Sequence, residues 1–407
     1  MTGAMLLLLL GPALYAGVWA WLRGGTSPPN ETSPPSPLSC GEGELVSSSS
    51  LELETSSPSP QERGLGGEVP LLSVLIAARD EAAALPHLLR ALQTQTLPPH
   101  SFEVLIADDH SADDTAALVL AAAEKAPFAL RLIALPPGRT GKKAALTAAE
   151  AQARAPWAIC TDADCRPAPG WLQTYAEHIH PFTHSPIHFI SGLVRLTPGG
   201  AWFDGLLGLE FAGLVGVGAG CIGRGRPTMC NGANLAFRRA TFHEVGGYRD
   251  NAGLASGDDE FLLHKIHQRY PAGIRFLAAP DAVVDTPAPA TLRALLRQRV
   301  RWASKYPHYR TAAPRQLALL VLGTNLSLAG GVGLALWQPA LWPWVGAAGA
   351  LKLGADAWLL WPILGLLKRR RWLAWLLPLQ LLYAPYALAV GLAARRGNYY
   401  WKGRQVR

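Results

Sequence analysis

The sequence predicts an α/β protein: a doubly wound, mixed sheet covered by helices on both faces, with apolar helices at both ends of the chain. Three observations carry this reading. From Leu71 onward, short β-prone runs alternate with segments of helical period, the pattern of a largely parallel sheet between two helical layers. Acidic residues stand where the predicted strands end, at Asp80, at Asp108-Asp109 and at Asp162-Ala163-Asp164. Apolar runs long enough to span a bilayer flank this region on either side.

Residues 4–22 form the first such run. No Lys or Arg precedes it and Arg23 follows at once. The positive-inside tendency therefore makes residues 1–23 an anchor rather than a cleaved leader, and puts the downstream chain in the cytoplasm. Residues 24–69 are rich in Ser, Pro, Gly and Glu and read as a disordered tether. The folded domain is expected over residues 70–312. Its first strand is 71–78. A helix over 81–95 follows, with Leu85, Leu88, Leu89 and Leu92 on one face. The second strand is 102–107, with a helix from Ala112. The third is 130–134, followed by an alanine-rich helix over 142–154. Residues 157–161 are the fourth strand, and residues 187–285 mix short strands and helices.

Three further apolar runs, 317–337, 341–367 and 372–393, predict a membrane region over 313–394 and a basic tail over 395–407. Lys352 and Asp356, four apart on one helix face, are placed to pair with each other. Lys368-Arg369-Arg370-Arg371 belongs in the cytoplasm. Three spans would then leave the basic tail outside, so either one run is re-entrant or the tail breaks the rule.

The 407 residues carry a net charge of +8, yet only 16% are charged. A chain both basic and hydrophobic suits anionic lipid surfaces or phosphate ligands rather than nucleic acid. Its five cysteines form no CxxC pair and have no histidines at zinc spacing, which argues against a structural zinc site and a disulfide scaffold.

Ala77-Ala78-Arg79-Asp80-Glu81 leaves the first strand and Ala107-Asp108-Asp109-His110-Ser111 the second. Ligands of such sheets lie at the carboxyl ends of the strands, where carboxylates accept from the hydroxyls of a nucleotide. Each stretch taken alone reads equally as a helix N-cap with acidic first-turn residues. Neither stretch is a Gly-rich phosphate loop of the GxGxxG or Walker type, which argues against NAD enzymes and P-loop kinases. In Asp162-Ala163-Asp164 the two carboxylates share a face of an extended segment. That suits Mg²⁺ or Mn²⁺ bridging phosphate oxygens. Lys142 and Lys143 either neutralise a diphosphate or are solvated.

Asn231-Gly232-Ala233-Asn234 is a polar turn running into a strand. Ser256-Gly257-Asp258-Asp259-Glu260 caps a helix. Its acids either satisfy the helix dipole or hold a carboxylate in a cleft to take a proton from an acceptor hydroxyl. Gln298-Arg299-Val300-Arg301-Trp302 lies on a basic helix over 293–305. It reads as a membrane-surface helix, or as an arginine against a diphosphate with an aromatic ring beneath the acceptor.

In this order the motifs resemble those of the membrane-bound family-two glycosyltransferases, over about residues 71–306. The resemblance implies an A-type nucleotide-sugar fold and an inverting mechanism. It implies Asp80, Asp108 and Asp109 at the nucleotide, with Ala77, Arg79, Glu81, Lys142, Lys143 and Asp162 beside the donor. Asp164 with Asp162 is implied at the metal, and Asp259, or else Asp258, as the base. Gln298, Arg301 and Trp302 match the last motif. Two departures stand out: many members have Gly at His110, and Glu-Asp at Asp258-Asp259, which leaves the base open between the two acids.

The expectation is therefore an enzyme on the cytoplasmic side of the cell membrane. It would move a sugar from a UDP- or GDP-sugar to a lipid or membrane-associated acceptor, with the bilayer and not nucleic acid as its partner. The tail Trp401-Lys402-Gly403-Arg404 is similar to tails of small glycosyltransferases that act on lipids. A processive polysaccharide synthase is the main alternative, but it needs more spans to line a polymer channel. A sugar-1-phosphate nucleotidyltransferase, the alternative of another class, would carry a glycine-rich basic loop after the first strand. Residues 202–220, glycine-rich around Glu210, read either as a bilayer-surface segment beside the acceptor or as a buried core helix.

Overall fold

A computed structural model describes residues 2–26, 69–179, 187–251, 257–305, 308–309, 311–394, 399–401 and 404–406. The tether expected over 24–69 lies almost wholly outside these. The chain opens with helix α1 (Thr2–Arg23). The alternating half follows: β1 (Leu72–Ala78), α2 (Leu85–Gln93), β2 (Phe102–Asp108), α3 (Thr115–Ala123), β3 (Ala129–Ala134), α4 (Lys142–Gln152) and β4 (Trp157–Asp162). Helix α2 carries its four predicted leucines buried. It starts at Leu85 rather than at Glu81 because Pro86 occupies its first turn, where a missing N–H costs nothing.

The less regular half comprises β5 (Arg166–Pro167), α5 (Trp171–Ile179), β6 (Phe189–Gly192), β7 (Val194–Thr197) and α6 (Asp204–Gly223). It continues with β8 (Leu235–Arg238), α7 (Arg239–Glu244), α8 (Glu260–Arg269), β9 (Ile274–Leu277) and β10 (Val284–Pro287). Then come the basic helix α9 (Leu292–Ala303) and three apolar helices, α10 (Ala313–Trp337), α11 (Trp342–Leu366) and α12 (Leu376–Ala394). A hairpin of β11 (Tyr399–Trp401) and β12 (Arg404–Val406) follows.

Seven strands form one sheet in the order β3-β2-β1-β4-β8-β6-β9. The first four are parallel, whereas β8 runs antiparallel to both β4 and β6, so the sheet is mixed. Period-two alternation along β1 sends Leu72, Val74 and Ile76 into the core under α2, α3 and α5, and Leu75 into the core under α4 and α8. The register pairs Ala78 with Asp108 and Ala77 with Asp162. The acidic strand exits therefore come out side by side along one edge.

By length and composition, Asp204–Gly223, Ala313–Trp337 and Arg370–Ala394 could each cross a membrane. They differ in surroundings: 67% of the first window is buried inside the protein, against 17% and 11% of the other two. Helix α6 is thus a core helix, the second of its two sequence readings. Its glycines make room for neighbours: Gly205 lies under Trp375, Gly208 under Trp372 and Gly216 under Ile363. Along α11, Lys352 Nζ donates to Asp356 Oδ2 at 2.9 Å, as the i,i+4 spacing predicted. Tyr15 of α1 and Gln380 of α12 close the network on the same carboxylate at 2.5 and 2.7 Å.

Candidate active site

The strand exits are shaped by their own acids. Asp80 and His110 adopt φ of 50° and 55°, the left-handed region that favours glycine. Asp80 Oδ1 accepts from Ala112 N at 2.8 Å. Asp108 accepts from both the amide (3.2 Å) and the hydroxyl of Ser111. Asp109 Oδ2 accepts from Gly141 N at 2.9 Å, and its carbonyl accepts from Arg79 Nη1 at 2.8 Å. Arg79 Nε is buried with no hydrogen-bond partner among the described residues.

Asp162 and Asp164 leave β4 with Cys165, their ligand atoms all within 4.8 Å of one another. Burial and the two neighbouring carboxylates push the Cys165 thiol up. It stays protonated, leaving a pair of hard carboxylate oxygens, a donor set that fits Mg²⁺ or Mn²⁺. Lys142 Nζ bridges Asp162 Oδ1 at 2.6 Å and Asp258 Oδ2 at 3.0 Å. Burial works against its charge, but the two carboxylates win and raise its pKa well above the ordinary value.

The acids before α8 sit opposite. Burial pushes the Asp258 carboxyl up, but Lys142 outweighs it and holds the group below the usual carboxylate range. Asp259 caps α8: its Oδ1 accepts from Glu260 N at 2.8 Å and its Oδ2 from Gly232 N at 3.1 Å. Glu260 is buried and pushed up by that burial. It pairs with Lys305 Nζ at 2.9 Å and accepts from the Tyr309 hydroxyl. Lys305 also stands 3.9 Å from Asp259. Arg301 is half-buried near Asp258, Asp162 and Asp259, and desolvation lowers its pKa from a value so high that it stays charged.

One cavity of about 870 Å³ collects these groups. Its wall includes Ala77, Arg79, Glu81, Asp109, Lys142, Asp162 and Asp164 from the strand exits. Across from them lie Asp258, Asp259, Gln298, Arg301 and Trp302. Asp80, Asp108 and Lys143 are not on that wall. Asp80 and Asp108 are spent on the loop bonds above. Lys143 is one residue, or ~100° of helix, from Lys142, so the two cannot face one ligand. Its ammonium donates instead to the Asn251 carbonyl at 2.6 Å, and burial lowers its pKa to about 8.

Sequence reading passed over Lys305 and Tyr309 on the wall, and Arg299, which donates to Glu210 and, at 3.1 Å, to Tyr386. The signal for Lys305 was there: it lies four residues, one helical turn, beyond Arg301. The wall also takes in the membrane-region helices, with Leu317, Val321 and Leu322 of α10 and Leu376, Leu379 and Val390 of α12 beside the polar Asn325, Gln380 and Tyr383.

Residues 73–184 match the model of glycosyl transferase family 2, and residues 157–388, more than half of the chain, that of glycosyl transferase family group 2. The chain is 27% identical over 241 residues to "Probable glycosyltransferase YdaM" of Bacillus subtilis (strain 168), covering 58% of this chain and 55% of that one. It is 30% identical over 210 residues to the poly-beta-1,6-N-acetyl-D-glucosamine synthase of Staphylococcus aureus (strain COL), covering 49% and 46%. The chain thus spans about half the length of these relatives. Among solved structures it is similar to the mannosyltransferase PcManGT from Pyrobaculum calidifontis in complex with GDP-Man and Mn²⁺. There the TM-score is 0.52 at 20% identity, with 97% of this chain and 96% of that chain covered. At that identity the likeness shows the fold alone.

Proposed function

This chain belongs to glycosyl transferase family 2, and we propose that it is a membrane-anchored, inverting enzyme that moves a single sugar from a nucleotide diphospho-sugar to a lipid hydroxyl. One observation carries the lipid acceptor. The cavity wall that carries the acids, Arg301 and Trp302 also includes leucines of α10 and α12, two helices long and apolar enough to cross a membrane and little buried by the protein. Those leucines offer an apolar surface to the chain of a lipid acceptor.

A divalent cation, held by Asp162 and Asp164, would supply positive charge to the donor diphosphate when bound. GDP-Man and Mn²⁺ occupy PcManGT together, which supports the same pairing here. The remaining steps belong to the chain. Arg79 and Asp109, both on the cavity wall, receive the nucleotide. Asp259 takes the proton from the acceptor hydroxyl, whose oxygen attacks the anomeric carbon opposite the diphosphate. The new C–O bond forms as the bond to phosphate breaks, inverting the carbon. Arg301 and Lys142 stabilise the charge that passes to the leaving diphosphate. Asp258 is the weaker candidate for the base because Lys142 already holds it and depresses its basicity.

A processive synthase remains the second reading, favoured by the staphylococcal relative. Two substitutions test the assignments. Asp164→Ala is expected to abolish the metal dependence of nucleotide-sugar binding, measured by titration with and without chelator. Asp259→Asn should keep that binding while transfer falls at least ~100-fold, the ordinary worth of a general base. Transfer that survives Asp259→Asn and is lost in Asp258→Asn moves the base by one residue.

A further inference from the structure

Lys305 lies just past the end of α9, where a lysine ordinarily reaches into solvent against the helix dipole. Here it is 8% exposed and stands on the cavity wall. Its ammonium meets two acids at the start of α8, at 2.9 Å from Glu260 Oε2 and 3.9 Å from Asp259 Oδ1. The Tyr309 hydroxyl donates to the same oxygen of Glu260. A buried ion pair that only fastened α8 to the end of α9 could be replaced by well-packed apolar side chains without loss. This one stands beside a carboxylate that must be ionised to take a proton.

The other charges around Asp259 give that position its consequence. Asp258 precedes it and Glu260 follows it, and like charges this close oppose the ionisation of the acid between them. Lys142 answers Asp258 at 3.0 Å and Lys305 answers Glu260. Lys143 of α4 and Arg301 of α9 also act on Asp259. The remaining titratable neighbours, His264, Cys230 and Tyr248, are neutral at pH 7: burial lowers the first to about 4 and raises the other two.

We propose that Lys305 is a positioning residue for the base: its ammonium, shared between Glu260 and Asp259, keeps Asp259 ionised at neutral pH and ready for the proton of the acceptor hydroxyl. This rests on the reading of Asp259 as the base of a glycosyl transfer. The two partners of Asp259 then act in opposite senses. Without the ammonium, Asp259 stands between two acids with less compensation and keeps its proton to higher pH. Without the charge of Glu260, the ammonium serves Asp259 alone and the proton leaves at lower pH.

The test is the pH dependence of transfer by the full chain, with label followed from a UDP- or GDP-sugar into extracted lipids at excess Mn²⁺, from about pH 4 to pH 8. Lys305→Met is expected to move the acid limb up by ~1 unit or more, about a tenfold loss of rate at a pH on that limb. Glu260→Gln should move it down, the two together should fall between, and Lys305→Arg should stay near the native profile. Titrated nucleotide-sugar binding should be unchanged in all four. If Lys305→Met does not fold, Glu260→Gln, which keeps the shape of the side chain, decides alone. An acid limb that stays in place while the melting midpoint falls makes the pair a mere fastener and overturns the proposal. So does a limb that moves up in Glu260→Gln. Native transfer with an unmoved limb refutes the role of Lys305 alone. Native transfer that survives Asp259→Asn, or no native transfer at all, refutes the reading beneath it as well.

Discussion

Asn234 is fully buried and bonds on every side. Its Oδ1 accepts from Trp171 Nε1 at 2.8 Å and from the Tyr175 hydroxyl at 2.9 Å. Its Nδ2 donates to the Leu193 and Ala282 carbonyls at 2.8 and 2.9 Å. The amide thereby pins the turn whose Gly232 N–H holds Asp259 to β6, α5 and the end of the sheet. Asn234→Ala strands three buried polar groups, the Trp171 and Tyr175 donors and the Ala282 carbonyl, because the Leu193 carbonyl still accepts from Val284 N at 3.0 Å; at ~1–3 kcal/mol each the loss is about 3–6 kcal/mol if the cavity relaxes partly. That is a large share of the ~5–15 kcal/mol that holds a domain folded. At roughly 2–4 °C per kcal/mol, the melting midpoint should fall by about 6–24 °C. The assay is the fraction of detergent-solubilised protein that stays monodisperse after heating. Asn231, three residues earlier, is the internal control: among the described residues its Oδ1 accepts from Ala233 N alone, at 2.9 Å. Asn231→Ala should cost ~1 kcal/mol, a few degrees. An Asn234→Ala midpoint within about 4 °C of the native protein, or below which Asn231→Ala falls, would refute the reasoning.

Two further outcomes follow from buried charge. His264 is buried against the Thr228 carbonyl and its pKa is pushed down to about 4, chiefly by burial. A depressed folded value means that its contribution is full above the unfolded pKa near 6.5 and is lost as pH falls toward 4, on the order of 3 kcal/mol in all. His264→Gln should therefore flatten the drop in melting midpoint between pH 7 and pH 5, and an unchanged drop refutes the assignment. In the membrane region, Lys352→Met leaves Asp356 without its cation and should destabilise by about 3–5 kcal/mol. Adding Asp356→Leu should restore most of the midpoint, since no buried charge then remains, whereas a double variant no better than the single would mean that the pair acts through packing.

Much of the fold was legible because its signals are local. The acids at the strand ends and the leucines of α2 mark a parallel sheet before any long-range contact is known. The alternation from β1 to β4 falls within a few residues of its expected bounds. The second half was less clear because its strands are four residues or shorter and β8 reverses direction, so no periodicity develops. The glycine-rich α6 was open between surface and core, and only the tryptophans seated on Gly205 and Gly208 decide it. His110 shows backbone overriding residue type: a histidine takes a left-handed φ of 55°, the region that favours glycine. At the site, a motif tells which residue types gather but not where each side chain goes. Lys142 and Lys143 were indistinguishable as letters, yet helix geometry sends one to the carboxylates and the other to Asn251. Asn234 was only part of a polar turn, because the four groups it satisfies come from distant segments.

The central claim, sugar transfer from a nucleotide donor to a lipid, is most directly tested by donor turnover in membranes of cells expressing the protein. Labelled UDP- and GDP-sugars are supplied with Mn²⁺ or Mg²⁺ and extracted lipids, and the label is followed into organic and aqueous fractions. The account predicts one discrete, organic-soluble product that is metal-dependent and absent with Asp259→Asn. Label accumulating instead in high-molecular-weight, water-soluble material would contradict it and make the enzyme a polysaccharide synthase.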